Sequence, residues 1–376
     1  MATLLQRENN AVIVILYFYR LANSSGGAER SLISLANKLS AQNYKIHIVT
    51  WDNPGSKSFY KISRKVKWHQ LRFDIGLFGK IKRALNLYFL IRRINPEVLV
   101  GFVMGADKIV YLGSILNGVP IIAAERNSPK MYVIKLNKLQ HFFYMKLFLL
   151  TKYIVVQIDS YRFQYPKFLW SRIISIPNFI HFDPAKFSHI QRNAKKANYI
   201  LCVSRLDPQK NLITLVNAFA SLAGKFPSWN LLIVGSGSME SQIKKVIRAS
   251  KLNERVLLKS STKNIEKYYA MSDIFCLPSI WEGFPNALAE ALAHGLPSVG
   301  FSECDGVNYL IKHKKNGLLA KDINSSIDLS SKLGILMSDP ILRSNMSSRA
   351  TKILNKYNHE KIVNLWSSAI QSTKNV

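Results

Sequence analysis

The chain has few of the residues that mark extracellular, metal-binding or membrane-spanning proteins. It contains three cysteines in 376 residues, without metal-ligand spacing, so we expect buried free thiols in a reducing compartment. The longest apolar run near the amino terminus, residues 11–19, is too short to cross a bilayer and lacks a signal-peptide cleavage pattern. No Asp-x-Asp pair is present to hold a divalent cation. These absences predict a cytoplasmic protein without a transmembrane helix or a bound metal.

Acidic residues are also scarce, because 22 Asp and Glu stand against 52 Lys and Arg, for a net charge of +30. Residues 1–178 carry 26 basic and 8 acidic side chains, and the remainder carries 26 and 14. A field of this sign attracts nucleic acid, anionic lipid or phosphorylated substrates, and composition alone does not choose among them. The hydrophobic content of 48% excludes a largely disordered chain.

Short apolar runs alternate with helical patterns in both halves of the chain, which predicts doubly wound parallel sheets of the α/β class. A stretch without periodicity separates the halves and suits a linker. The length allows two domains. We expect an N-terminal domain at 1–178, a linker at 179–197, a C-terminal domain at 198–355, and a final helix at 356–376 that packs on the N-terminal domain.

The stretch 273–297 predicts a buried strand, a loop and a helix in succession. The first N–H groups of such a helix favour an anion, and a phosphate suits that place. Glu282 lies in the loop and Glu290 about one turn into the helix, so both can reach hydroxyl groups on either side of a diphosphate. This pattern indicates a sugar nucleotide, although a solvated loop glutamate and an internally satisfied helix glutamate would give the same sequence.

Two other turns of the second half follow predicted strands. Arg205 and Lys210 lie in one of them, where two fixed cations can hold a diphosphate and stabilise its charge as it leaves. Gly235 and Gly237 form the other, a possible nucleotide loop. Glu240 stands where a dinucleotide fingerprint has its third glycine, which excludes a nicotinamide site.

Polar and small residues also follow two strands of the first half. Gly26 and Gly27 open a helix, which indicates either a close backbone approach or a tight turn. Glu125, Arg126 and Asn127 end a strand at the sheet edge where open α/β folds hold ligands. A helix-capping turn would explain the same three residues.

Segments 78–93 and 132–152 fit helices that combine Lys and Arg with large apolar side chains. Such helices lie on anionic membrane surfaces. An ordinary core-facing helix with a solvated basic face fits equally well.

Together these residues resemble the retaining glycosyltransferases of family four, whose GT-B architecture has two facing Rossmann-like domains with the active site in the cleft. The resemblance covers nearly the whole chain, and its most specific part is the glutamate pair combined with the arginine and lysine of the preceding turn. The motifs that carry it are SGGAER at 25–30, AERN at 124–127, SRLDPQKN at 204–211, VGSGSMES at 234–241, SDIFCLPSIWEGFPNALAEALAHGLP at 272–297, DGVNYLI at 305–311 and NGLL at 316–319.

The resemblance implies that Arg205, Lys210 and Glu282 are the catalytic groups, with the two cations on the diphosphate, and that Glu290 holds the ribose. It assigns acceptor contacts to the residues after the first-half strand, Glu125, Arg126 and Asn127. The further donor-binding residues would be Gly26, Gly27, Gly235, Gly237, Gly283, Phe284, Pro285 and Asn286.

The EGFPN form of the motif is similar to members that use UDP-hexoses or UDP-N-acetylhexosamines to build surface polysaccharide and lipid-linked oligosaccharide. We therefore expect retaining transfer to a lipid-linked glycan acceptor, without a metal or other cofactor, at the inner face of the cell membrane. One departure is Tyr309, where many members carry Glu. Glu303-x-Asp305 is the nearest substitute for a metal-binding pair, and we interpret it as a loop.

Two other functions compete with this one. A UDP-sugar epimerase shares the architecture and would form product without an acceptor. A nucleic-acid-binding protein would explain the charge but not Glu282 and Glu290 at a phosphate site. We expect no nucleic-acid partner.

Overall fold

The computed structural model describes residues 11–22, 26–103, 107–184 and 198–374. They belong to two compact units, one drawn from Met1–Phe179 and His359–Val376 and the other from Ile180–Asn358. Each unit has a parallel sheet with helices, so the predicted α/β class is confirmed. Residues 185–197 of the predicted linker lie outside the described part.

The sheet of the first unit has seven strands within the described residues, ordered 3-2-1-4-5-6-7, and every pairing is parallel. The central strands are buried, as expected where helices cover both faces. Edge strand three was not predicted, because its residues, KWHQ, are mostly polar and remain partly exposed. The strands are β1 (Val12–Tyr17), β2 (Tyr44–Thr50), β3 (Lys67–Gln70), β4 (Val98–Phe102), β5 (Ile121–Ala124), β6 (Tyr153–Val156) and β7 (Ile173–Ser175).

The helices of this unit are α1 (Gly27–Leu39), α2 (Gly76–Ile94), α3 (Lys108–Leu116), α4 (Lys130–Lys135), α5 (Lys138–Leu147) and, at the carboxyl end, α14 (His359–Lys374). Three 3-10 turns, Phe148–Leu150, Asp159–Gln164 and Lys167–Arg172, complete it. The segment 132–152 is helical for most of its length, as predicted, but it is divided into α4, α5 and a 3-10 turn. Leu136 is extended, and Asn137 and Gln140 form a capping box that begins a new helix.

For this strand order, right-handed crossovers require α1 on one face of the sheet and α2, α3, α4 and α5 on the other, and α2 packs against α3. The carboxyl-terminal helix contacts α1, β4 and β5. Its Trp366 is buried and stacks on Phe102 with ring centroids 5.7 Å apart. Residues from both ends of the chain therefore share one core.

The second unit has six parallel strands within its described residues, ordered 10-9-8-11-12-13. They are β8 (Asn198–Val203), β9 (Trp229–Val234), β10 (Val256–Lys259), β11 (Ile274–Leu277), β12 (Ser298–Phe301) and β13 (Gly317–Ala320), the last an edge strand as predicted. The helices are α6 (Leu212–Ala223), α7 (Glu240–Ala249), α8 (Glu266–Ala270), α9 (Asn286–Ala293), α10 (Asp305–Leu310), α11 (Ser326–Ser338), α12 (Pro340–Ala350) and α13 (Ile353–Lys356).

The structure contradicts the prediction for Asp305 and confirms the one for the cysteines. Asp305 lies in the first turn of α10, where we predicted a loop, because Val307 and Leu310 are buried at helical spacing. The three cysteines are free and buried, as predicted.

Close contact between two loops explains the glycines after β9. A Cβ atom at Gly235 would lie 1.8 Å from the Ser204 carbonyl oxygen, and one at Gly237 would lie 2.6 Å from the Leu206 backbone. Two backbone hydrogen bonds join the loops, from Leu206 N to Ser236 O at 3.0 Å and from Met239 N to Leu206 O at 2.8 Å. The glycine loop therefore supports the turn that carries Arg205.

Over the described ranges, no helix combines the length and the apolarity needed to cross a bilayer.

We predict that Gly237→Ala lowers the free energy of unfolding by about 1–3 kcal/mol, because the new methyl group requires the loops to separate. Gly224→Ala is the control, since Gly224 has helical dihedral angles and open space around its Cα. Urea denaturation would measure both. Equal stability of the two variants would contradict the packing role.

Candidate active site

An ion pair joins two of the predicted site residues. Lys210 ends a 3-10 turn after β8, and Glu282 lies in the loop after β11, the neighbouring strand. Lys210 Nζ lies 2.5 Å from Glu282 Oε1, and the two side chains are only 12% and 9% exposed. Ser279 Oγ donates a second hydrogen bond, of 2.6 Å, to the same oxygen. Sequence analysis expected both residues at this edge of the sheet but not their direct pairing.

Hydrogen bonds from Gln209 fix the two loops relative to each other. Its side chain donates to the Trp281 carbonyl at 2.6 Å, and its own carbonyl accepts from the Ile280 N–H at 2.9 Å. These two bonds hold the loop of Lys210 against the loop of Glu282.

The loop Gly283–Pro285 leads directly into α9, as predicted. Phe284 is buried with its ring 5.3 Å from that of Tyr357. Pro285 is the N-cap and has no side-chain hydrogen-bonding group with which to cap the helix. The start of α10 packs so closely on Glu282 that only glycine fits at position 306, because a Cβ atom there would lie 2.8 Å from Glu282 Cβ. The start of α9 therefore lies beside the ion pair.

Glu290 is 4% exposed in the second turn of α9. The Tyr269 hydroxyl lies 3.2 Å from Glu290 Oε2 and 3.3 Å from the Ala287 carbonyl oxygen, so these two acceptors share its single proton. The contact with Oε2 orients the carboxylate. Arg205, by contrast, has a 63% exposed side chain that pairs with Asp207 at 2.8 Å.

The predicted residues of the first unit follow β1 and β5. Gly26 is the extended N-cap of α1, with Gly27 in the first turn. Asn127 is half-buried, whereas Glu125 and Arg126 are buried.

Arg126 extends into the core of the first unit. Its guanidinium carbon lies 5.0 Å from the Phe102 ring centroid and 5.2 Å from that of Trp366. It donates to Asn178 Oδ1 at 3.0 Å. These contacts give Arg126 a structural role in attaching α14, and acceptor binding by Arg126 stays a prediction.

Glu125 lies in an apolar, tyrosine-rich region of the first unit. Burial raises the pKa of its carboxyl group to about 7, against an opposing effect of the Arg126 charge. Burial, followed by the charge of Glu125, raises the pKa of the hydroxyls of Tyr111, Tyr144 and Tyr165. The Oε1 atom of Glu125 has no hydrogen-bond partner among the described residues. Glu125 is therefore poised to hold a proton near neutral pH.

Sequence analysis missed Ser279, Gln209, Tyr269 and Gly306 as supports of the site. Ser279 and Gln209 lie within the quoted motifs, next to predicted residues. Tyr269 had no such signal, because its bond to Glu290 depends on the packing of α8 against α9. The described residues contain no cluster of three or more His, Cys, Asp or Glu side chains that could hold a metal ion. Metal independence stays a prediction.

Two family models match this chain. The model of glycosyl transferases group 1 matches residues 185–353, and the glycosyl transferase 4-like model matches residues 21–158. An uncharacterized glycosyltransferase of Haemophilus influenzae is 30% identical over 364 residues, which cover 93% of this chain and 98% of the relative. The chain belongs to this family of GT-B glycosyltransferases, as the resemblance implied.

Two further proteins are similar over nearly their whole length. A Campylobacter jejuni enzyme is 26% identical over 94% of this chain and 97% of its own, and is named as the alpha-1,4-N-acetyl-D-galactosaminyltransferase of GalNAc-alpha-(1->4)-GalNAc-alpha-(1->3)-diNAcBac-PP-undecaprenol. The crystal structure of Anabaena HepE with UDP and glucose matches with a TM-score of 0.79 and 15% identity, over 96% of this chain and 99% of HepE. The second match supports the GT-B fold.

We predict that Glu125→Gln changes how stability depends on pH. The folded-state pKa of about 7 lies above the ordinary value of 4.5, so this group lowers stability as pH rises through that interval. The variant should therefore gain roughly 2–3 kcal/mol over the parent between pH 5 and pH 8. Urea denaturation at both pH values measures the gain, and exposed Glu254→Gln is the control. Parallel pH profiles of parent and Glu125→Gln would disprove the buried, protonated state.

Proposed function

We propose that the protein is a retaining glycosyltransferase that moves a hexose or N-acetylhexosamine from a UDP-sugar to a lipid-linked glycan. The observation that carries the proposal is the buried Lys210–Glu282 pair beside the start of α9. A fixed cation next to a helix N-terminus suits a diphosphate, and the neighbouring carboxylate suits a sugar hydroxyl. HepE, which shares the fold, was solved with UDP and glucose.

In the proposed reaction, the bond between the sugar C1 and the β-phosphate oxygen breaks while the acceptor hydroxyl oxygen bonds to C1. The acceptor proton passes to the leaving phosphate oxygen on the same face. Lys210, Arg205 and the first N–H groups of α9 would stabilise the charge that develops on the diphosphate. No metal is needed for this step, since two cations and a helix dipole supply the positive field.

The two glutamates would then have different tasks. Glu282 would orient the donor sugar, with Ser279 holding one carboxylate oxygen. Glu290, which Tyr269 orients, would accept from the ribose hydroxyls. Such fixed acceptors position the donor without a change of their own geometry.

A stack of cations and aromatic rings at the carboxyl edge of β1–β3 suits the acceptor. The Arg20 guanidinium lies 5.1 Å from the Phe73 ring centroid and 5.7 Å from that of exposed Tyr19. Arg83 of α2 lies 4.0 Å from the Phe73 centroid and 5.5 Å from that of Trp51. An exposed guanidinium beside ring faces can bind phosphate oxygens and pack against a sugar. We assign the diphosphate end of a lipid-linked acceptor to Arg20 and Tyr19.

The adjoining helices provide a surface for the lipid. Helices α2, α3, α4 and α5 contain no acidic residue. Exposed basic side chains lie among their exposed apolar ones, at Lys80, Lys82 and Arg92 of α2 and at Lys138 and Lys146 of α5. The exposed apolar residues are Leu77, Phe78, Ile81, Leu85, Phe89, Leu112, Ile115, Leu116, Val133, Ile134, Leu139, Phe142 and Phe143.

Charge complementarity supports an anionic bilayer as the partner of this helical face. Apolar side chains enter the interfacial region while Lys and Arg contact the headgroups. Phe73 lies three residues before α2, so the acceptor stack adjoins this surface. A diphosphate at the membrane surface would then be within its reach. The Campylobacter relative, named for an undecaprenol-linked substrate, supports this class of acceptor.

We expect the protein to hydrolyse one UDP-sugar slowly, and to transfer its sugar to a lipid-diphosphate glycan, in the presence of EDTA. Lys210→Ala and Glu282→Ala should each lower turnover by about 100-fold or more, because each removes transition-state stabilisation. Exposed Lys225→Ala is the control. Product from the donor alone, without transfer or hydrolysis, would favour the epimerase, and no sugar-nucleotide binding would reject both enzymes.

We also predict that the protein sediments with phosphatidylglycerol vesicles at low salt and much less with phosphatidylcholine vesicles. Phe78→Ser/Phe89→Ser should lower the fraction of protein that sediments with the vesicles about tenfold or more, because the apolar contact of two rings with the bilayer is removed. Ile327→Ser/Ile341→Ser removes two similarly exposed side chains elsewhere and should have no effect. Equal sedimentation of both variants, or equal binding to both lipids, would remove the membrane from the proposal.

A further inference from the structure

A basic pocket in the second unit is not used by the proposed reaction. Its volume is about 580 Å³, within the usual range for small-molecule sites. Five cationic side chains line it, and none of the lining residues is acidic. The cations are Lys312, Lys315, Arg349, Lys352 and Lys356.

The lining of this pocket does not include Lys210, Glu282 or Glu290, and its Tyr357 has its ring 5.3 Å from that of Phe284 in the loop before α9. Helix α10 begins beside Glu282 at the carboxyl end of β12 and runs back to the edge where the parallel strand β13 begins. The pocket is formed by the end of α10, the following loop, the end of α12 and α13. A ligand bound within this lining would contact none of Lys210, Glu282 and Glu290.

Like charges are crowded in the pocket. Lys356 Nζ lies 3.2 Å from the Tyr309 hydroxyl and 4.6 Å from its ring centroid, and Lys312 Nζ lies 5.4 Å from the same centroid. One neutral tyrosine thus stands between two cations, at the position where many family members carry Glu. A ring face offsets repulsion less than a carboxylate would, so an external anion stabilises this arrangement.

We propose that this pocket is a second anion site, which binds a phosphate-bearing ligand the size of a sugar phosphate. The cations supply the phosphate contacts, and the apolar wall of Tyr309, Leu310 and Ile353 suits the remainder of such a ligand. Lysine clusters favour phosphate as flexible point charges. The inference is independent of the donor and acceptor assigned above.

Calorimetric titration with pyrophosphate at low salt tests the site, on a Lys210→Ala background that weakens the donor site. We expect Lys352→Ala/Lys356→Ala to weaken binding about tenfold or more, because two phosphate contacts are lost. Tyr309→Glu should weaken it similarly, since it places an internal carboxylate between Lys312 and Lys356. The matched control is Lys225→Ala/Lys245→Ala, which removes the same charge from exposed positions elsewhere on the unit.

Vesicle binding distinguishes the two sources of phosphate. If Lys352→Ala/Lys356→Ala also binds phosphatidylglycerol vesicles more weakly than the parent, and pyrophosphate competes with the vesicles for the parent, the ligand is a lipid headgroup. If only pyrophosphate binding falls, the ligand is a free phosphate compound. Pyrophosphate binding by Lys352→Ala/Lys356→Ala as tight as in the control, with both variants folded by thermal denaturation, would overturn the proposal.

Discussion

The buried pair of Lys210 and Glu282 connects two loops that are 72 residues apart in sequence. Removing two charges from water costs several kcal/mol for each ion, and hydrogen bonds must offset part of that cost. Ser279 supplies one to the carboxylate, and Gln209 joins the backbones of the two loops. The start of α9 is fixed as a consequence. An apolar pair would stabilise this place as well, so the charges are better explained by a ligand that replaces one partner.

The first unit compensates its buried cations differently, because acidic residues are so few. Arg83 lies against the rings of Trp51 and Phe73, and Arg126 lies against the stacked rings of Phe102 and Trp366. Such contacts contribute about 2 kcal/mol each when desolvated. They also leave nitrogen atoms without hydrogen-bond partners among the described residues, at Arg83 Nε and at Arg126 Nε and Nη2. The aromatic residues of this unit thus take a role that carboxylates have elsewhere.

Much of the fold follows from local sequence, since apolar runs and helical spacing located every central strand and the helix after Glu282. The polar strand β3 could not be located in this way, because it has no apolar pattern of its own and forms by pairing with β2. The break between α4 and α5 depends on one capping box, which a longer amphipathic pattern concealed. The ends of the predicted strands located Lys210 and Glu282 at the carboxyl end of the same sheet. The distance between them depends on side-chain packing between separate segments, as does the bond from Tyr269 to Glu290.

The excess of basic residues acts through clusters rather than through the total. At physiological salt, exposed charges are screened beyond about 8 Å, so an isolated lysine binds nothing specific. Among the described residues, exposed cations gather among the apolar side chains of α2, where Lys82 pairs with Asp74, and around the pocket beside Tyr309, whose lining has no acidic residue. The first combines charge with exposed rings, which suits a bilayer, and the second gathers five exposed cations around one pocket, which suits a discrete phosphate compound. The shortage of Asp and Glu thus leaves two basic surfaces, one among apolar side chains and one around a pocket.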